Sequence, residues 1–210
     1  LHGGRTDEPL LSDDERRLAL YKIDGYLAGS SFTPVARGCR MVGFGGFSER
    51  LPILCFMARV PDGSSREIWP IVRRDALHGL GLLGDCDAQV TATLRASLAD
   101  PYFEARYRAA WAIRVLAGEH REALSSLVPD LVRTHAHRYF EVRVEVLRAL
   151  GEVALAFEAV SEVFESHRYD SNWKVRQALL EALARLTERG VITADLAASE
   201  GREVMLSGSG

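Results

Sequence analysis

Cysteine is scarce and unpatterned in this chain. Cys39, Cys55 and Cys86 lie far apart, are odd in number and form no Cys-x-x-Cys pair. That spacing excludes a cysteine-based zinc site and a disulfide framework. The three read as reduced, small core residues of a cytoplasmic protein. No apolar run approaches the roughly 18 residues of a membrane-spanning helix, and the N-terminal residues show no signal-peptide pattern. An excess of one charge sign is missing too. The 26 Lys and Arg are set against 29 Asp and Glu, whereas a dedicated nucleic-acid binder carries a clear basic excess. Nowhere do apolar and polar residues alternate between hairpin turns, so strands are not expected. Yet 47% of the residues are hydrophobic, enough for a folded chain with a sizeable core.

That hydrophobicity is periodic. The segment Phe140-Glu141-Val142-Arg143-Val144-Glu145-Val146-Leu147-Arg148-Ala149-Leu150-Gly151 recurs along the chain. It matches the segments starting at Trp173, Phe103 and Pro70, and more weakly the one starting at Pro34. The aligned arginines are Arg37, Arg73, Arg106, Arg143 and Arg176, separated by 36, 33, 37 and 33 residues. Such a period accommodates one helical hairpin per repeat. In all but the first copy, apolar residues follow the arginine at three, four and seven positions, which is one face of a helix. Each copy is therefore an amphipathic helix with a buried stripe.

Partner helices are expected in between, over 13–27, 49–59, 87–98, 120–134 and 155–166. Pro61-Asp62-Gly63, Asp100-Pro101 and Asp170-Ser171-Asn172 punctuate the turns, and Ser171 and Asn172 are N-cap candidates. The expected organisation is a flexible segment over 1–11, a solenoid over 12–190, and a C-terminal cap helix with a flexible Gly/Ser tail over 191–210. The repeats fall at about 12–47, 48–84, 86–118, 120–154 and 155–189.

The run Asp100-Pro101-Tyr102-Phe103-Glu104-Ala105-Arg106-Tyr107-Arg108-Ala109-Ala110-Trp111-Ala112-Ile113 resembles the HEAT-like repeat of the phycobilisome-lyase type, D-x-x-x-x-V-R-x-x-A-x-x-A-L-G. The segment 170–184 resembles it as well. The other copies depart at the Asp position, which holds His137, Glu67 and Ser31. The resemblance implies an all-α fold, a right-handed α–α superhelix of about five helical hairpins. It also implies a hydrogen-bonded ladder between repeats, drawing on Asp100, Arg106, Arg143, Asp170 and Arg176.

The same resemblance places the arginine-bearing helices on the concave face. Their outward positions lie one, five and eight residues after the arginine. The middle helices thus offer Arg74, His78, Tyr107, Trp111, Arg114 and Arg148, bordered by Arg108. Trp, Tyr and Arg are enriched at binding hot spots. One reading is a groove for a protein or peptide, acidic character included; the other is packing, with Trp111 filling a gap between repeats and Arg148 paired to glutamates on its own helix.

Two further constellations are weak. Gly43-Phe44-Gly45-Gly46-Phe47 lacks the Lys-Ser/Thr of a phosphate loop, and its glycines read as helix-ending. His135-Ala136-His137 has no third ligand at a matching spacing, so no metal is expected, and nothing implies a cofactor. The expected function is a scaffold or interaction module rather than an enzyme, with neither nucleic acid nor membrane as partner. One alternative is a DNA glycosylase built on HEAT-like repeats, casting Trp111, Tyr107 and Asp75 in its cleft. Another is a structural spacer within a larger protein.

Overall fold

The computed structural model describes residues 11–59 and 69–206. The turn at Pro61-Asp62-Gly63, Glu67, the segment 1–10 and the tail 207–210 lie outside the described residues. Within them the chain forms α1 (Asp13–Leu27), α2 (Phe32–Phe44), α3 (Leu51–Met57), α4 (Pro70–Leu83), α5 (Ala88–Ser97), α6 (Phe103–Ser125), α7 (Val128–Thr134), α8 (Phe140–Val153), α9 (Ser161–His167), α10 (Trp173–Glu188) and α11 (Ala194–Leu206). No strand occurs among the described residues. The fold is an all-α solenoid of five hairpins followed by α11.

Local chemistry sets several boundaries. Ser12 caps α1 in a reciprocal box with Glu15, and Asp87 caps α5 by accepting from the Val90 N–H at 2.8 Å. Asn172, not Ser171, caps α10. The segments expected as helices over 49–59 and 155–166 begin instead with single 3-10 turns, at Ser48–Arg50 and Phe157–Ala159. The expected 120–134 helix is broken differently. His120 has non-helical backbone angles inside α6, and its Nε2 meets the carbonyl of Gly84 at 2.8 Å. The chain bends there and starts the outer arm of the fourth hairpin, which reaches α7 through a further turn at Leu127.

The even-numbered helices pack directly on one another in sequence, α2 on α4, α4 on α6, α6 on α8 and α8 on α10. Of the odd-numbered helices α1 to α9, only α3 and α5 meet substantially. The even-numbered helices therefore form the more closely packed, inner layer, the layer that the sequence leads one to expect on the concave side. Small residues permit that closeness. A Cβ on Gly43 would sit 2.7 Å from the Gly79 Cα, and one on Gly151 would sit 2.7 Å from the Ala182 Cα. The apolar stripe of each inner helix is buried between the layers: Val72, Ala76, Leu77 and Leu80 on α4, Val142, Val146, Leu147 and Leu150 on α8, all inaccessible. None of the described helices is long and apolar enough to cross a membrane.

Candidate functional site

Two of the register arginines, Arg73 and Arg143, join neighbouring repeats, while Arg106 and Arg176 bond within their own. Arg106, Arg143 and Arg176 each donate to the backbone carbonyl six residues earlier, at Asp100, His137 and Asp170. Where the next repeat supplies an aspartate, the guanidinium also takes its carboxylate through two hydrogen bonds. Arg73 Nε and Nη2 reach Asp100 at 2.7 and 2.8 Å, and Arg143 Nε and Nη2 reach Asp170 at 2.8 and 3.0 Å. The Arg73–Asp100 pair is fully buried. Each aspartate oxygen Oδ1 additionally accepts the N–H two residues on, from Tyr102 and Asn172. Sequence reasoning had named Asp100 but missed Arg73 as the partner of its carboxylate.

One joint is incomplete. His137 stands in the aspartate position opposite Arg106. Its Nδ1 accepts the Tyr139 N–H at 3.2 Å, which reproduces the turn, but an imidazole cannot neutralise a guanidinium. Burial and the neighbouring Arg106, Arg138 and Arg143 hold the His137 pKa below its ordinary value. A pair of imidazoles lies at the next joint. His135 Nδ1 is 3.1 Å from His167 Nε2, and His167 Nδ1 is 3.3 Å from Asp170 Oδ2. Burial lowers both histidine pKa values, and His135 lowers that of His167 further.

The patch expected on the concave face divides into two kinds of residue. Arg74, Arg114 and Arg148 are all ion-paired. Arg74 bridges Asp75 at 2.8 Å and Glu104 at 2.7 Å. Glu145 is buried between Arg114 at 2.9 Å and Arg148 at 3.2 Å, and Arg148 continues to Glu181 at 2.7 Å. Asp75 is likewise buried, between Arg74 and Arg40, and so is not presented to a substrate in a cleft. A cavity of about 460 Å³ lies toward the C-terminal end, lined by Arg114, Arg148, Glu152, Glu181, Arg185 and Glu188 among others. Arg185 closes onto Glu152 and Glu188, each at 2.9 Å. Every arginine lining this cavity thus has a carboxylate partner.

The aromatic members form a row instead. Phe44, His78 and Trp111, from α2, α4 and α6, meet edge to face, with centroids 5.8 and 4.8 Å apart. Trp111 lies over Gly81, where a Cβ would come within 2.5 Å of Cζ3, so this tryptophan does fill a gap between repeats while remaining half-exposed. Burial, then Arg108, lowers the His78 pKa. Tyr107 lies farther toward the N-terminal rim of the face. It joins two cavities, of about 290 Å³ and about 300 Å³, that share Tyr107 and Glu141.

That rim also holds residues the sequence did not single out. Phe140, Trp173 and Lys174 line the first cavity, and Phe103 lines the second beside Arg108, the expected border of the patch. Trp173 is 60% exposed. Phe103, Phe140 and Trp173 each precede their register arginine by three residues, a recurrence that could have flagged them. Burial, with Asp75 nearby, pushes the Cys39 thiol up to about 12, and burial raises Cys55 and Cys86. Among the described residues no three His, Cys, Asp or Glu side chains are grouped to hold a metal ion.

The architecture defines a class, the α–α solenoid of helical hairpins. No family model matches the chain, and no curated protein matches it. Among solved structures it is similar to the complex of CpcE and CpcF of phycocyanin lyase from Nostoc sp. PCC7120, at 15% identity over 99% of this chain and 98% of that one, with a TM-score of 0.44.

Proposed function

We propose that the chain is a HEAT-like interaction module that binds a protein or peptide along its concave face. The observation that carries this reading is the internal neutralisation of the concave arginines. Arg74, Arg114, Arg148 and Arg185 are each held by one or two carboxylates. Nucleic-acid binding is driven by free cations that displace counterions from phosphates, and these arginines are already spoken for. The surface keeps aromatic faces arranged across successive helices, with polar groups at their edges. That is the composition of a polypeptide-binding surface, in which Trp, Tyr and Arg anchor the contact.

Mechanism is surface complementarity on a rigid stack. The ion-paired rungs fix the side chains between which the aromatic anchors stand, so little rotamer entropy is lost on binding. His78, Tyr107 and Trp111 serve as anchors, with Arg74, Arg114 and Arg148 holding the frame. The test is affinity capture with quantitative mass spectrometry, comparing the chain with Trp111→Ala, Tyr107→Glu and Arg148→Glu variants whose helicity is intact. A discrete set of polypeptides lost from all three variants is the expected result. Identical capture by the variants, or recovered material that nuclease removes, overturns the reading.

A further inference from the structure

The rim cavities show what kind of segment would lie there. Of the four cations lining them, Arg74 and Arg148 are ion-paired, and Arg108 and Lys174 are not. Arg108 stacks over the rings of Tyr107 and Trp111, at 5.1 and 5.5 Å, and Lys174 over those of Phe140 and Trp173, at 5.5 and 5.8 Å. Neither forms an ion pair among the described residues. A cation on an aromatic face makes a site for a ring beside a carboxylate, since the ring extends the apolar floor and the carboxylate takes the charge. Glu141, which borders both cavities, likewise has no ion-pair partner among the described residues. The charge order along the groove is therefore cation, anion, cation.

We infer that this rim groove binds an extended peptide with two aromatic residues three positions apart, acidic residues outside them and a basic or neutral residue between. This rests on the concave-face reading above and specifies its occupant. The spacing follows from the layer itself. One cavity lies between α4, α6 and α8, the other between α6, α8 and α10, so they are offset by about one helix spacing, roughly 8–10 Å. A polyproline-type strand rises about 3.1 Å per residue with three residues per turn. Residues i and i+3 then point the same way, roughly 9 Å apart. A flat β-strand gives about 7 Å at i+2, and its same-face residues fall between the two cavities.

The test uses fluorescein-labelled peptides and anisotropy. The probe is Glu-Trp-Ala-Lys-Trp-Glu. Its controls are the charge-reversed Lys-Trp-Ala-Glu-Trp-Lys, a version with both Trp replaced by Ala, and one with the two Trp moved to adjacent-but-one positions. Each control is expected to bind at least tenfold more weakly than the probe. The double variant Arg108→Glu with Lys174→Glu, folded by circular dichroism, is expected to lose the probe by a similar factor and to gain the charge-reversed peptide. That swap distinguishes lost charge from lost structure. Equal binding of probe and reversed peptide, no binding of the probe, or indifference to the double variant overturns the assignment. So does a concentration-dependent dimer that the probe does not displace. If Tyr107 and Trp111 variants still lose a captured polypeptide while the probe fails, the occupant is wrong and the concave-face reading stands. If nothing is lost in either assay, both fall.

Discussion

Replacing Asp100 by Asn removes one charge and almost no volume from the joint between the second and third hairpins. Asp100 and Arg73 are 0% and 1% exposed, and both carboxylate oxygens are engaged. The amide keeps an oxygen for the Tyr102 N–H, but its NH2 meets a guanidinium that needs an acceptor. Breaking a buried ion pair from one side costs about 3–5 kcal/mol, a large share of the roughly 5–15 kcal/mol that stabilises an ordinary domain. The same change at Asp170 should cost less, because that pair is 9% and 15% exposed and water recovers part of the charge. In a solenoid each hairpin contacts only its neighbours, so the loss should be local. Urea unfolding followed at 222 nm gives the magnitude, and hydrogen exchange gives the place, with protection falling first in α4 and α6. A loss below about 1 kcal/mol for Asp100→Asn, or a larger loss for Asp170→Asn, refutes the assignment of the joints.

Other outcomes follow from the same geometry. His137→Asp supplies the missing carboxylate opposite Arg106 and should raise stability by up to about 1 kcal/mol, the range of partly exposed pairs; an unchanged or lower urea midpoint contradicts the joint pattern. Acid should act early. His78, His135, His137 and His167 all have depressed native pKa values, so the unfolded chain binds protons first. Their stabilising contribution is complete above the unfolded value of about 6.5 and is lost as pH falls through it toward the folded values. Melting temperature should therefore drop between pH 7 and 5, before the carboxylate range, and a flat profile to pH 5 opposes this. Gly43→Val must push α2 from α4, because even a Cβ there is 2.7 Å from the Gly79 backbone. A destabilisation of about 1–3 kcal/mol is expected, read from the urea midpoint, and a neutral effect argues against the close approach.

The repeat was legible because packing imposes it. Every inner helix must bury the same stripe, so apolar offsets from Arg73, Arg106, Arg143 and Arg176 reported the helices and their stacking. Irregular features were less visible. The break at His120 depends on the carbonyl of Gly84, 36 residues away, and no local pattern encodes it. The concave positions of Arg74, Arg114 and Arg148 could be placed by helical spacing, but their pairing with Glu104, Glu145 and Glu181 crosses between helices. Spacing within one helix suggested Glu145 and Glu152 for Arg148; the first pair forms, and Glu152 instead meets Arg185 from the next inner helix. Conversely, Arg108 and Lys174 look like ordinary surface charges until the rings beneath them are seen. Net charge alone conceals which cations are neutralised and which stand free.

Site-specific photo-crosslinking tests the central claim most directly. A photoreactive residue placed at Tyr107 on the concave layer is compared with one at Glu162, exposed on outer helix α9, in the intact cell. The account predicts a discrete cross-linked polypeptide from position 107 and none of comparable yield from position 162. Equal yields from both faces, or cross-links from position 107 to nucleic acid, would contradict it.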